Sequence, residues 1–224
     1  MTSIVPVNQE DNEDRNDQNS SAIDKTINWI MDVGISGLGD TLPSAQDVAE
    51  EHLKRCNGDV EKAVESVIKW KTAYAGGSGF VTGFGGLATL PVTLTVGLAA
   101  SYAIAANQAA AIAHLRGYEV YSDQVRTAVL MCLVGDLGEE ILKTAGIAVG
   151  RQAARHVVMH KIPKSLLGRI NKLVGFKLVA KVNEKAAVRL IRVVPFVGGV
   201  VGGAVDGAFV NICGRSAKQA FPAI

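Results

Sequence analysis

Apolar and polar positions alternate along this chain with a helical period, and the period predicts the first elements. Ile23, Ile27, Ile30 and Met31 share one face of a helix over Ala22–Val33, with Trp29 nearby. Gly34, Gly37 and Gly39 are expected to break it. Ser44, with Asp47 three residues on, predicts a capped helix running to about Cys56, with Ala45, Val48, Ala49 and Leu53 turned inward. Asn57-Gly58 should close that helix, and Asp59 should cap another whose inner face carries Val60, Ala63, Val64, Val67, Ile68 and Trp70. The two make an amphipathic hairpin.

From Thr72 to Leu115 the pattern changes: forty-four residues pass without Asp, Glu, Lys or Arg. A stretch of that kind belongs inside protein or inside lipid. Its first half is rich in glycine, and Gly79-x-x-x-Gly83 would allow close helix contact. Pro91 divides it, and an Ala-rich helix follows to Leu115. Each half is about long enough to span a bilayer, but Asn107, Gln108 and His114 disfavour insertion. Burial by other helices is the favoured expectation, with a membrane span the alternative.

Ser122 or Asp123 should cap a further helix to Val134, with a fully apolar run AVLMCLV. From Arg151 to Arg192 the chain is basic and helical, with breaks expected at Pro163 and Gly175. Lys177, Lys181, Lys185 and Arg189 recur every four residues and form one stripe. The final segment, VVPFVGGVVGGAVDGAFVNIC, overlaps Gly198-x-x-x-Gly202, Gly199-x-x-x-Gly203 and Gly203-x-x-x-Gly207. Glycine costs about 1 kcal/mol in a helix interior relative to alanine, so this zipper requires a packing partner. The glycine-rich start of the uncharged stretch is the expected one.

Composition adds a charge split. Residues 1–66 hold fourteen acidic and five basic side chains, a net of −9, whereas residues 143–192 hold twelve basic and one acidic, a net of +11. Either an anionic partner or docking of one half on the other would balance this. Aromatics are only 5% of the chain, which suits a core of small side chains between helices. Cys56, Cys132 and Cys213 fit neither a disulfide framework nor a zinc site. No basic-then-apolar leader opens the chain, so the expected location is cytoplasmic, peripheral to or conditionally inserted in the inner membrane.

Candidate chemistry is sparse. Asp136, Glu139 and Glu140 could pair carboxylates at a helix start, with His114 as a base, but such acids usually complement the helix dipole. Asp206 stands in the C-terminal zipper and, with Asn107 and Asn211, is an expected buried polar group, either an ion or headgroup site or half of an internal ion pair. His156 and His160 share a helix face, but their basic surroundings oppose a metal. Arg151, Arg155, Lys177, Lys181, Lys185 and Arg189 are the candidate anion or lipid contacts. Phe176 alone accompanies that region, so nucleic acid is disfavoured. Phosphate-loop, GxSxG, HExxH and dinucleotide motifs are absent, and neither a cofactor nor a metal is implied.

The runs SGFVTGFGGLATLPVTL, AAIAHLRGYEV, VRTAVLMCLVGD, GRINKLVGFKL, VPFVGGVVGGAVDG and GRSAKQAF, in this order, resemble the EcsC protein family from about Trp70 to Phe221. The resemblance implies one bacterial α-helical domain, a cytoplasmic origin and a membrane connection, since the family is named after a gene neighbour of an ABC transporter. It carries over no catalytic residue. The expected architecture is all-α, a compact multi-helix bundle around a glycine-zipper hairpin. Residues 1–21 form a disordered acidic tail and 22–224 a single domain: amphipathic helices over 22–71, the uncharged hairpin over 72–115, basic helices over 116–192 and the zipper over 193–224. The expected role is non-enzymatic association with an anionic membrane surface, with membrane perturbation and self-association as extensions. Alternatives are an interaction module for a membrane protein such as a transporter, and a lipid- or headgroup-processing enzyme.

Overall fold

Local signals set the helix boundaries at the N-terminal side. Ser44 Oγ accepts the Asp47 amide at 3.1 Å and opens α2 (Ala45–Arg55), while Asp59 Oδ1 accepts the Lys62 amide at 3.0 Å and opens α3 (Val60–Gly76). Between them Asn57 and Gly58 both adopt positive φ, +53° and +82°, which ends α2 in two residues. The computed structural model describes the backbone of residues 9–77, 96–147, 163–190 and 197–223, and the side chains of 21–77, 100–135, 137–147, 163–178 and 205–223.

Ahead of that hairpin, α1 spans Gln9–Ser36. It therefore begins inside the segment read as a disordered tail. It also passes through Gly34 and stops at Gly37, where φ is +84°. Gly34 is not a breaker but a contact: a Cβ there would lie 2.5 Å from that of Ala106. The remaining described elements are α4 (Val96–Leu115), α5 (Asp123–Val134), a 3-10 turn (Gly135–Leu137), α6 (Gly138–Thr144), α7 (Lys164–Leu190) and α8 (Val197–Ala220). Ser122 caps α5 by accepting the Val125 amide. All are helices, and no strand occurs among the described residues.

Helix α4 is the axis of the bundle. It packs against α1, α2, α3, α5 and α8, and every residue from Ala100 to Ala113 is buried. Eight alanines over that span let five neighbours approach one helix closely. Among the described residues no helix is long and apolar enough to cross a membrane. The uncharged sequence thus covers two different elements, because α3 runs without interruption from Val60 through Thr72 to Gly76. Gly79, Gly83 and the rest of 78–95 lie outside the described residues, as do Arg151, Arg155, His156 and His160.

Helix α7 is continuous through Gly175, contrary to the expected break. That glycine is buried, and a Cβ on it would come within 2.5 Å of Ile23 and Ile27 side-chain atoms, so it serves the α1–α7 contact. Gly207 of α8 similarly faces the Thr72 carbonyl, 3.2 Å from where its Cβ would stand, and Gly76. Only this glycine of the zipper has a described environment; Gly198, Gly199, Gly202 and Gly203 are placed on α8 by backbone alone.

Candidate functional site

Two regions concentrate polar chemistry: the junction of α3, α4 and α8, and the outer face of α7. The junction is built in layers. At one end Arg116, 8% exposed, donates to the carbonyls of Lys218 (2.8 Å) and Phe221 and to Glu61 Oε1 at 2.5 Å. Lys218 Nζ in turn contacts Glu65 at 2.7 Å and Glu61 at 3.4 Å. The ion pairs lower the Glu65 carboxyl below its ordinary value and raise the Lys218 amine, in each case chiefly through their mutual hydrogen bond. Tyr118, whose hydroxyl donates to the Pro222 carbonyl, packs against Phe221 with the rings tilted by 57° and closes this end.

One layer inward, Gly214 leaves room for the Gln108 amide, which touches the space its Cβ would fill, along with Ile68. Gln108 is fully buried and neither its amide nitrogen nor its oxygen has a hydrogen-bond partner. Further along, Asn211 Nδ2 donates to Thr72 Oγ1 at 3.2 Å, and Tyr102 meets Phe209 edge-on with ring centroids 5.3 Å apart. The Tyr102 hydroxyl is buried without a partner, and desolvation raises its pKa.

On the α2 side of α3 lies the group that the sequence reading overlooked. Lys71 is 0% exposed, its ammonium nitrogen has no hydrogen-bond partner, and burial lowers its pKa to about 7. Its one described contact is the Trp70 ring, 4.8 Å from Nζ to the centroid. Trp70 itself was expected to face inward, yet it is 37% exposed, stacked on Tyr74 and near His52. The inner stripe of α3 runs Val64, Val67, Ile68, Lys71, Ala75, and this i, i+3, i+4, i+7 register points to position 71 rather than 70. His52 is buried too, its Nδ1 2.8 Å from Ser66 Oγ, which ties α2 to α3; desolvation lowers its pKa first, with Arg55 and Lys71 adding to the effect.

The other sequence candidates separate. Asn107 is fully buried as expected, and its amide donates to the carbonyls of Gly34 (2.9 Å) and Pro43 (3.0 Å). Asp206 and Asn211 are only half-buried, because both sit at the flank of the face that meets α3. Glu139 pairs with Lys143 at 2.7 Å and Glu140 with Lys177 at 2.9 Å, so these carboxylates are engaged by separate lysines. The Asp136 side chain lies outside the described set, and His114 is half-buried at the far end of α4. No group of three metal-ligating side chains occurs among the described residues.

On α7, Leu167, Ile170, Val174 and Leu178 are buried against α1, α5 and α6. The opposite face exposes Ser165, Arg169, Lys172 and Phe176, with Lys164 beside them. Phe176 is 45% exposed. Lys177, where the expected stripe begins, is half-buried in its ion pair with Glu140 and is not part of that exposed face. Side chains of Lys181, Lys185 and Arg189 are outside the described set, although their backbone continues α7.

An all-helical bundle wrapped around an uncharged Ala-rich helix is the class these observations define. The chain belongs to the EcsC protein family, whose model matches residues 12–222, so that the match begins inside α1 and extends beyond the resemblance noted from about Trp70. No curated protein and no solved structure matches the chain.

Proposed function

We propose that the protein is a non-enzymatic, membrane-associating bundle that docks reversibly on an anionic lipid surface through α7. The observation that carries this reading is the exposed face of α7, where Lys164, Arg169 and Lys172 lead along the helix to Phe176, a large aromatic ring that the fold leaves in solvent. A helix that buries one apolar face in the bundle and offers a basic, aromatic one outward has the makeup of an interfacial helix. At about 1 kcal/mol for each basic residue near an anionic surface, three such residues supply roughly 3 kcal/mol, to which Phe176 adds apolar burial. Binding of that strength is weak and is screened by salt. In this reading α4 stays enclosed until the bundle opens, and the apolar helices then become available to lipid. Catalysis has less support, since Glu139 and Glu140 are each held by a lysine.

Flotation of the full chain with vesicles tests the proposal. Recovery with phosphatidylserine-containing vesicles, lost in high salt and lost in the Arg169→Glu/Lys172→Glu double variant, is the expected result. Equal recovery with purely zwitterionic vesicles, or none with either, overturns it.

A further inference from the structure

Lys71 is the least reconciled group in the described structure. Its amine is sealed from water behind the Trp70 ring and bonds to nothing. The chain offers no carboxylate side chain between Lys71 and Glu119, so neither α4 nor the residues leading to it can neutralise an ammonium. Three elements pack on α3, and none of their groups hydrogen-bonds to the Lys71 amine. From α2 comes His52, itself disfavoured in its charged form, with Glu51 and Arg55 exposed beyond it. From α4 come Tyr102 and His114, and from α8 come Asp206, Cys213, Arg215 and Lys218. Of these, Lys218 is committed to Glu61 and Glu65 at the far end, and Arg215 bonds Asn211. The lowered pKa of about 7 has desolvation as its cause and no compensating charge.

We propose that Lys71 is a built-in trigger: the closed bundle holds its amine dry and unpaired, so conditions that favour an ammonium favour the bundle opened at α3. The sign follows from linkage. An open chain keeps an ordinary lysine at 10.5, whereas the closed bundle holds Lys71 at about 7. Between those values opening takes up one proton, so closed-state stability falls by about tenfold per pH unit as pH drops, then levels off below 7. At pH 7 the closed state is disfavoured by about a thousandfold relative to its own stability above pH 10.5, where the amine is neutral in both states. An anionic surface would act in the same direction by pairing with the ammonium once it is released; that part rests on the membrane reading above.

The experiment has three arms on the full chain. Lysine ε-carbon NMR of the wild-type protein, with Lys71 assigned through Lys71→Arg or Lys71→Met, should show one resonance titrating near 7 while the others titrate near 10.5. Urea unfolding at pH 7 to 10 should show a wild-type midpoint that climbs with pH and a Lys71→Met midpoint that is higher and nearly flat. Lys71→Arg, charged at every pH, should be the least stable. A Lys71 resonance titrating near 10, or parallel unfolding curves for wild type and Lys71→Met, overturns the trigger. Vesicle flotation at pH 6.5 and 8.5 forms the third arm: wild type should associate more at the lower pH, and Lys71→Met should lose that difference. If the first two arms succeed and no variant floats, the trigger stands and the membrane reading fails.

Discussion

Two buried cations lie along α3 and meet opposite fates. Arg116 arrives from the end of α4 and finds Glu61 and two carbonyls from the last turn of α8. Lys71 arrives from the middle of α3, is buried more completely, and finds only a tryptophan ring. Planar guanidinium geometry accounts for part of the difference, because one Arg can hold carbonyls and a carboxylate at once. Position accounts for the rest. A helix C-terminus presents unpaired carbonyls, and a carboxylate on the exposed rim of α3 stays hydrated on one side. The middle of a helix packed between others has neither to offer. The Arg116 contact is consequently clamped and the Lys71 environment is conditional.

The comparison can be broken at either end. Arg116→Met should have the largest destabilising effect, about 3 kcal/mol in chemical denaturation, since Glu61 and the Lys218 and Phe221 carbonyls lose their donor together. Lys71→Met should move stability in the other direction at neutral pH and leave little effect above pH 10.5, a contrast that no shared loss of packing would produce. Gly214→Ala probes the layer between the two cations: its Cβ would displace the Gln108 amide and press on Ile68, and an unfolding shift of about 1–2 kcal/mol is expected. Lys218→Ala should be smallest, under about 1 kcal/mol, because Glu61 and Glu65 are half exposed and regain water. A loss from Lys218→Ala equal to that from Arg116→Met would mean the clamp works through its surface charges instead.

Much of the fold could be read from local chemistry. Ser44 and Asp59 cap α2 and α3 where expected, and the absence of charge from Thr72 to Leu115 foretold the burial of α4. Asn107 was correctly placed inside. Long-range partners were not legible. Nothing near Arg116 in sequence announces carbonyls 102 and 105 residues away. Gly175 reads as a breaker because its reason for being small lies on α1. At Trp70 and Lys71 the helical register and residue type point to different residues. An apolar ring suggests the core and a charged amine the surface, yet Trp70 is 37% exposed and Lys71 is fully buried. The register of the neighbouring valines, Val64 and Val67, was the better guide.

The hydrogen bond between Asn211 and Thr72 joins residues 139 apart in the chain. Synthesis proceeds at about 5–20 residues per second, so on the order of ten seconds separates the emergence of α3 from that of its largest partner, α8. During that interval α4, the most apolar of the described helices, already follows α3 and has α1, α2, α3 and then α5 but not α8 to cover it. Each nascent chain therefore passes through a state resembling the opened bundle before it ever reaches the closed one. Speed of translation, or whatever shelters the growing chain, becomes a determinant of how much protein attains the closed fold.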